Sequence, residues 1–356
     1  MEWTKGPILG RGSSATVSAA TSAYGDLFAV KSADFRHAES LRKEQHFLSI
    51  LNNPYIVSYK GCDTTRENNN MVYNLFIDYM SGGSIIDTIN ARNGLRLRDS
   101  EISRYTRQIV KGLEYIHSTG IVHCDIKSRN ILINENNGPK TAKIADFGCA
   151  KWANEKAPIR GTPVFMAPEV ARGEEQGFAA DIWAVGCTVI EMATGGSPWP
   201  EVDDPVSVLY KIGFSGEIPA TPDELSDQAK DFVSKCLIRD PKRRWTAAEL
   251  LKHPYIQQLD EHELRATDLD QIVCGKLRTD SPTSILDQDV WNSTKGIDCD
   301  LELSNSLRQR VEQLVGVSEM PNWRCEKGGS EWVTIRMNGD GDGDGGWVTG
   351  GGGGGW

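Results

Sequence analysis

The chain has 356 residues, of which 39 are Lys or Arg and 49 are Asp or Glu, so its formal net charge is −10. This acidic balance argues against general affinity for nucleic acids or anionic membrane surfaces, which depends on clustered Lys and Arg. Apolar residues make up 39% of the chain and charged residues 25%, which is typical of a soluble globular protein with a core. The charge is uneven, because residues 1–258 carry a net charge of −1 and residues 259–356 a net charge of −9.

Cysteine usage and the lack of targeting signals bear on the compartment. The eight cysteines are scattered, with no Cys-x-x-Cys pair, which is typical of reduced thiols in an intracellular protein. The N-terminus has no apolar signal core, and Glu2 excludes N-myristoylation. The most apolar long stretch, residues 178–195, contains Asp181 and Glu191, so we do not expect it to span a membrane. We therefore expect the protein in the cytoplasm, with the nucleus as a second compartment.

The predicted secondary structure changes along the chain. Residues 6–33 predict three strands, with a glycine-rich turn over residues 10–15 between the first two. Apolar residues at helical spacing predict helices over residues 38–51, 100–118, 180–194, 226–238 and 246–252. The compact unit is expected to close near residues 253–255.

The last hundred residues differ in composition from the rest. Past residue 259, Gly, Asp and Ser increase and the apolar period weakens, and 11 of the last 18 residues are Gly. Such a segment cannot bury enough surface to offset its chain entropy, so residues 259–356 are predicted to be an acidic, Gly-rich, mostly disordered regulatory tail. Within it, Ser281-Pro282 is either a proline-directed phosphorylation site or an unmodified linker. Residues 303–314 have apolar positions at helical spacing and form either a docking helix or a marginal one.

A first group of motifs in the N-terminal part points to binding of a nucleotide phosphate. It starts with a turn made of Gly10, Arg11, Gly12, Ser13, Ser14, Ala15, Thr16 and Val17. The glycines let the backbone approach phosphates, Val17 can cover an adenine, and Ala15 stands where a third glycine is usual. Lys31, on the next predicted strand, can reach the α- and β-phosphates, and Glu44 on the following helix can pair with it. Taken alone, Lys31 would be a solvated strand residue and Glu44 a helix surface charge.

A second group of motifs supplies the remaining charged groups for phosphoryl transfer from ATP. In residues 123–130, Asp125 can accept the hydrogen of a substrate hydroxyl, and Lys127 can neutralise charge on the γ-phosphate. Asn130 can ligate a second Mg²⁺, and Asp146, followed by Phe and Gly, can ligate the main Mg²⁺. The transition state concentrates charge on oxygens, so these residue types in this order suit catalysis by positioning and electrostatic compensation.

With these motifs in place, residues 3–258 resemble the eukaryotic protein kinase family. The resemblance implies an α+β bilobal fold, with a small, mainly β N-lobe over residues 1–80, a larger helical C-lobe over 81–258, and ATP between them. It further implies that the Asp78 carbonyl and the Met80 amide bind adenine. The apolar side chains expected around adenine are Val17, Ala29, Ile77 and Leu132.

The resemblance also implies several contacts that stabilise the site. Glu169 is expected to form a buried ion pair with Arg244, whose loss should be costly. Thr162 is expected to hydrogen-bond to Asp125 and Lys127, and Asp181 to lie on a buried anchor helix. The apolar stack that links the two lobes is matched by Leu48, Tyr59, His123 and Phe147.

Within the kinase family, the chain resembles the Ser/Thr kinases. Lys127, two residues after Asp125, favours Ser/Thr over Tyr specificity, and residues 113–118, 161–170 and 181–192 resemble the MEKK-type MAP kinase kinase kinases, in particular the short plant members. This implies that the substrate is the activation-loop Ser/Thr of a MAP kinase kinase, in stress or hormone signalling. The alternatives are a catalytically weak kinase-fold scaffold and a receptor-associated cytoplasmic kinase. A scaffold would be expected to lack catalytic or metal-binding residues, and all are present.

One departure from the family pattern concerns activation. Cys124 stands where most kinases have an Arg that binds a phosphate on the activation loop. Between Gly148 and Ala167, the only hydroxyl residue is Thr162. We therefore predict that activity does not require phosphorylation of this loop. Cys124 and Cys149 flank the site and are either oxidant-sensitive thiolates or, as their setting favours, packing residues.

Overall fold

The structure is a computed structural model that describes residues 2–12, 15–92, 96–135, 140–202 and 204–257. The predictions for residues 259–356, including Ser281 and the segment 303–314, lie outside the described residues. So do Ser13 and Ser14 of the glycine-rich turn.

An antiparallel sheet of five strands forms the N-lobe. The strands are β1 (Trp3–Arg11), β2 (Thr16–Ser22), β3 (Leu27–Asp34), β4 (Tyr59–Glu67) and β5 (Asn70–Asp78). Their order in the sheet is β1-β2-β3-β5-β4, so β3 lies at the centre. The hairpin between β4 and β5 turns at Asn68 and Asn69, which both have positive φ, as the favoured two-residue turn requires.

The two faces of this sheet carry different side chains. On one face, the rings of Trp3, Phe28 and Phe76 meet edge to face with centroids 5.3 to 6.4 Å apart. Because side chains alternate along a strand, Ala29 and Lys31 lie on the face opposite Phe28. The central strand therefore directs Lys31 away from the aromatic cluster and towards the rest of the molecule.

Helix α1 (Glu39–Ile50) packs beside the sheet, against β4, β5 and residues 147–149. Its buried residues include Glu44 among the apolar side chains of Leu41, Phe47 and Leu48. A carboxylate in such a setting requires a cationic partner. The helix predicted over residues 38–51 is thus present and one residue shorter at each end.

Helices dominate the C-lobe. They are α2 (Ile85–Ala91), α3 (Asp99–Ser118), α4 (Pro168–Ala171), α5 (Phe178–Thr194), α6 (Pro205–Phe214), α7 (Asp227–Cys236), α8 (Ala247–Leu250) and α9 (Pro254–Gln257). Helix α5 is buried along most of its length and packs against α3 and α7. The predicted helices are present, but Ser226 and Thr246 lie just outside α7 and α8, where their hydroxyls cap the first turns. Among the described residues, no helix is long and apolar enough to cross a bilayer.

Two short antiparallel pairs of strands frame the segments that carry the motifs. They are β6 (Ile121–Val122) with β9 (Lys151–Trp152), and β7 (Ile131–Asn134) with β8 (Thr141–Ile144). Residues 123–130 run from β6 to β7, and residues 146–148 run from β8 towards β9. Because each loop begins and ends on paired strands, the two loops lie close together. The predicted fold class, a β-sheet N-lobe and a helical C-lobe, is confirmed.

Candidate active site

The predicted pairing of Lys31 and Glu44 is present. The Nζ of Lys31 lies 2.6 and 2.8 Å from the two carboxylate oxygens of Glu44 and 3.2 Å from Oδ1 of Asp146. Burial opposes the charge of Lys31, but the carboxylates of Asp146 and Glu44 outweigh it and raise the pKa of Lys31 above its ordinary value. Burial raises the pKa of Glu44 to about 7 in spite of Lys31. The sheet, α1 and the loop after β8 thus meet at one cationic side chain.

The glycine-rich turn lies at the end of β1 and the start of β2. Gly10 and Arg11 end β1, and the N–H of Gly12 donates to the carbonyl of Ala15 at 2.9 Å. Among the described residues, which exclude Ser13 and Ser14, a Cβ added at Gly10 would meet no atom within 4 Å, and the φ of Gly10 is not positive. Neither the backbone geometry nor the described neighbours therefore require glycine at this position.

The side chains predicted to surround adenine belong to one apolar cluster. Ala29 lies opposite Ile77 in the pairing of β3 with β5, and Met80 follows β5. Val17 on β2 and Leu132 on β7 are partly buried against the same cluster. The five residues come from four strands and one loop, and the pairing of β3 with β5 brings two of them, Ala29 and Ile77, side by side.

Asp78, at the end of β5, is tied to the segments around it. Its side chain accepts from the N–H of Ser58 at 3.0 Å and from Nζ of Lys143 at 2.8 Å, and Lys60 lies 3.2 Å away. Burial would raise the pKa of Asp78, but the hydrogen bonds from Lys143 and Ser58 outweigh it and lower the pKa to about 2. The side chain thus fixes the strand whose backbone is predicted to bind adenine.

The predicted catalytic residues converge on the carboxylate of Asp125. The Nζ of Lys127 donates to its Oδ2 at 2.8 Å, the hydroxyl of Thr162 donates to its Oδ1 at 2.7 Å, and Nδ2 of Asn130 donates to its Oδ2 at 3.0 Å. Lys127 also donates to the hydroxyl of Thr162 at 2.6 Å. The expected hydrogen bonds of Thr162 are therefore present, and Asp125 is held by one cationic and two neutral donors.

The backbone of this loop is held by two acidic residues of α5. The carboxylate of Asp181 accepts from the backbone N–H of His123 and of Cys124, both at 2.8 Å, and lies 3.0 Å from Nε2 of His117. Glu191 accepts from the N–H of Ser128 at 3.2 Å. These contacts were not predicted. The available signal was the presence of two carboxylates in an otherwise apolar helix, where each needs donors.

Two residues of the loop and of the segment beyond it have unusual backbone geometry. Cys124 has φ +68° and Gly161 has φ +123°. A Cβ at Gly161 would clash with the carbonyl oxygen of Cys124. Gly161 is thus required both by its φ and by the close approach of the two backbones.

The residues predicted to ligate Mg²⁺ suit a divalent cation bound together with phosphates. Lys31 lowers the pKa of Asp146, whose side chain is 48% exposed, so the carboxylate is charged and accessible. Asn130 uses its Nδ2 to bind Asp125, which leaves its amide oxygen as the ligand that it can offer. Mg²⁺ is usually held by one or two protein side chains plus substrate phosphates, and this pair fits that pattern. In the described ranges, no group of three or more His, Cys, Asp or Glu forms a metal site.

The remaining expected contacts concern stability. Glu169 pairs with Arg244 at 2.6 and 3.0 Å, with both side chains buried. His123 and Phe147 meet at a centroid distance of 4.8 Å, and Leu48 and the partly buried Tyr59 belong to the same apolar cluster. Burial lowers the pKa of His123, so the ring is neutral in this stack.

Neither cysteine beside the site is a thiolate. Cys124 is buried, and burial raises its pKa well above the ordinary value. Burial also raises the pKa of the half-buried Cys149 to about 12. The interpretation of both as packing residues is therefore supported over that of oxidant-sensitive thiols.

Comparison with known proteins agrees with this site. The family model described as "Protein kinase domain" matches residues 3–256. Mitogen-activated protein kinase kinase kinase 17 of Arabidopsis thaliana is 45% identical over 94% of this chain and 93% of its own length. Mitogen-activated protein kinase kinase kinase 18 of the same plant is 46% identical over 95% of this chain and 100% of its own length. Because the kinase domain covers most of the chain and these relatives align along nearly all of it, the chain belongs to the protein kinase family and is a serine/threonine kinase.

Proposed function

We propose that the protein is a MAP kinase kinase kinase that transfers the γ-phosphoryl group of ATP to a serine or threonine in the activation loop of a MAP kinase kinase, in stress or hormone signalling. The observation that carries the proposal is the arrangement around Asp125, where Lys127, Asn130 and Thr162 hold the carboxylate and Lys127 brings positive charge beside it. The substrate class is supported by the names of the two plant relatives, which align over nearly their full lengths.

Each residue has a distinct role in the proposed transfer. Asp125 orients the substrate hydroxyl and accepts its hydrogen as the oxygen attacks the γ-phosphorus. Lys127 compensates charge on the γ-phosphate, and Lys31, held by Glu44, binds the α- and β-phosphates. Because the transition state is loose, catalysis arises mainly from positioning and charge compensation.

The nucleotide is held by groups from both lobes. Adenine packs between Val17 and Ala29 on one side and Leu132 on the other, and hydrogen-bonds to the backbone of Asp78 and Met80. Asp146 and Asn130 would hold Mg²⁺, which would neutralise part of the phosphate charge. The backbone at Gly10 and Gly12 would approach the phosphates from the N-lobe.

The proposal is tested by phosphorylation of a panel of MAP kinase kinases that have been made catalytically inactive, so that all incorporated phosphate comes from this protein. Wild type should label the activation-loop Ser/Thr of at least one member. Asp125→Asn and Lys31→Met should lose at least about 10²-fold in kcat, since each removes a group that acts in the transfer.

A matched control distinguishes loss of the site from loss of any strand lysine. Lys5 on β1 also pairs with a carboxylate, that of Glu67, at 3.0 Å, but on the surface. Lys5→Met should keep the wild-type rate. Transfer to a generic basic protein but to no MAP kinase kinase would contradict the proposed substrate. No ATP turnover at all would favour the scaffold alternative.

A further inference from the structure

The side-chain amide of Gln176 is buried and contacts both the segment from Gly148 to Ala167 and the catalytic loop, although Gln176 belongs to neither. Gln176 lies between α4 and α5 and is 5% exposed. Its Nε2 donates to the carbonyl oxygen of Arg160 at 2.8 Å, and its Oε1 accepts from the N–H of Arg160 at 3.3 Å. The same Nε2 lies 3.5 Å from the carbonyl oxygen of Cys124.

Two hydrogen bonds between the amide of Gln176 and the backbone of Arg160 fix both the position and the orientation of this backbone, whereas one hydrogen bond would leave it free to rotate. An amide that both donates to and accepts from the backbone of one residue pairs with it as a neighbouring strand would. Since Nε2 also faces the carbonyl of Cys124, the residue before Asp125, Gln176 connects the segment to the loop that holds the proposed base. A polar side chain this buried is stabilising only when its donors and acceptors are satisfied.

The next two residues of the segment depend on where Arg160 lies. Gly161 packs against the carbonyl of Cys124, where no Cβ fits. Thr162 donates to Asp125 and accepts from Lys127. Thr162 lies only two residues after Arg160, so a shift of Arg160 would also move the Thr162 hydroxyl that holds the carboxylate of Asp125.

The surroundings of Gln176 favour a neutral group. Asp125 and Asp181 line the same small cavity as Gln176. A carboxylate at this position would face two others and two backbone carbonyls, whereas an amide can donate to the carbonyls.

We propose that Gln176 is a positioning residue that holds the end of the activation segment against the catalytic loop, in place of a phosphate bound to the side chain at position 124. This inference rests on the proposed kinase function. Cys124 offers no cation for a phosphate, and Thr162, the one hydroxyl residue between Gly148 and Ala167, is already hydrogen-bonded. Neutral hydrogen bonds from Gln176 supply the order that a charged pair would otherwise supply, so the segment needs no modification.

The test compares Gln176→Met, which keeps the size of the side chain but loses all three polar contacts, with Gln176→Glu, which keeps the size and loses the donor. Gln108 is a matched control, because its amide oxygen accepts from the N–H of Ala142 at 2.7 Å, away from the activation segment. For each full-length variant, kcat, the KM for ATP, thermal stability and the rate of tryptic cleavage after Arg160 are measured. The protein is first treated with a broad-specificity phosphatase.

We expect dephosphorylated wild type to keep its activity within twofold. Both Gln176 variants should lose at least tenfold in kcat, with the KM for ATP within twofold of wild type because Lys31 and the adenine pocket are untouched. Cleavage after Arg160 should be at least fivefold faster in both, and Gln108→Met should match wild type in kcat and in cleavage.

Several results would overturn the inference. The first is a wild-type kcat in Gln176→Met, the second an unchanged rate of cleavage after Arg160, and the third a loss of wild-type activity on phosphatase treatment. The fourth is faster cleavage at all sites together with general unfolding, which would indicate that Gln176 has a packing role only. If wild type transfers no phosphate but cleavage after Arg160 is still faster in the variants, the proposed kinase function is wrong, while the positioning of the segment by Gln176 is supported.

Discussion

The two faces of the nucleotide cleft differ in how firmly their residues are held. On the C-lobe face, His123, Asp125 and Asn130 are buried, and their side chains and backbone are hydrogen-bonded to one another and to α5. On the N-lobe face, Ile8 and Leu9 before the glycine-rich turn are 52% and 48% exposed, and a Cβ at Gly10 would meet no described atom within 4 Å. The catalytic half of the site is therefore held by hydrogen bonds, whereas the described residues of the half that would cover the phosphates are exposed.

Lys31 connects these two faces. It is anchored by Glu44 within the N-lobe and lies 3.2 Å from Asp146 of the C-lobe. Preorganised charges cost no rearrangement during the reaction, whereas an open cover allows a nucleotide to enter and leave. The division of the cleft therefore predicts that changes to the C-lobe face reduce stability and kcat together, while changes to the N-lobe cover affect mainly the KM for ATP.

The largest effect is expected at Asp181, which anchors the C-lobe face. Asp181→Ala leaves the N–H groups of His123 and Cys124 buried without a partner, which should lower the free energy of unfolding by about 3–5 kcal/mol. The displaced loop should reduce kcat by about 10²-fold. Denaturant unfolding and steady-state kinetics measure both. Asp231→Ala is the control, because Asp231 also binds a histidine but is 53% exposed, and its loss should cost less than about 1 kcal/mol.

Gly161→Ala should have the next largest effect. The new Cβ would clash with the carbonyl of Cys124 at a φ that favours glycine, so we expect a loss of about 2–5 kcal/mol in the free energy of unfolding and a lower kcat. Gly173→Ala separates the two causes, because Gly173 has φ +78° but a Cβ added there would meet no described atom within 4 Å. A similar loss in both variants would show that φ alone, and not the approach to Cys124, requires glycine.

The pH dependence of ATP use should depend on Glu44, at the boundary between the two faces. With its pKa at about 7, Glu44 takes up a proton as the pH falls through that value and no longer pairs with Lys31, so kcat/KM for ATP should fall towards acid pH. Glu44→Gln should have a lower kcat/KM at pH 8 and lack this decline, apart from the titration of ATP that both proteins share. Profiles that fall in parallel below pH 7 would contradict the assignment.

The raised pKa of Glu44 affects stability in the opposite direction from ATP use, because it makes the folded protein more stable at lower pH. The pKa of Glu44 in the folded state is raised above its ordinary value of 4.5, so the folded protein binds more protons than the unfolded chain between these two values. The contribution of Glu44 to stability is therefore fully present below pH 4.5 and is lost as the pH rises through about 7. Wild type should gain more stability than Glu44→Gln on going from pH 8 to pH 6.

The smallest effect is expected at Gly10, on the open N-lobe face. Gly10→Ala adds a methyl group that would meet no described atom within 4 Å, so the free energy of unfolding should stay level or rise by up to about 1 kcal/mol. The KM for ATP should rise by less than about tenfold, or 1.4 kcal/mol, with kcat unchanged. A large loss of stability would show that the turn is packed and would remove the contrast between the two faces.

The proximity of the motif residues whose side chains contact one another was predictable from the sequence. Lys31, Asp125, Lys127, Asn130 and Asp146 carry charge or an amide at fixed offsets, and the structure brings all five together. The fold class followed from the same motifs, because their order matches one family. The predicted helix ends differ from the observed ones by at most two residues, and at α7 and α8 the predicted first residue is the N-cap.

Residues that act on a distant backbone were not predictable. The resemblance placed Asp181 on a buried helix, but nothing in the sequence marked the N–H groups that Asp181 and Glu191 bind, which lie more than 50 residues earlier in the chain. Gln176 is a neutral residue in a loop, and it belongs to no motif or periodic pattern that would have marked it. Helix α6 was missed because Val206, Tyr210 and Phe214 lie on its exposed face, so its apolar spacing does not mark a buried side.

At Cys124 the backbone, and not the side chain, makes the contacts that shape the catalytic loop. Its N–H is held by Asp181, its carbonyl faces Gln176 and Gly161, and its thiol only approaches the carbonyl of Val122 at 3.6 Å. The backbone thus does the structural task, with φ +68° imposed by its neighbours. The thiol takes no part in these backbone contacts, so a residue that fits the same buried position and tolerates this φ can replace it while the backbone keeps the shape of the catalytic loop.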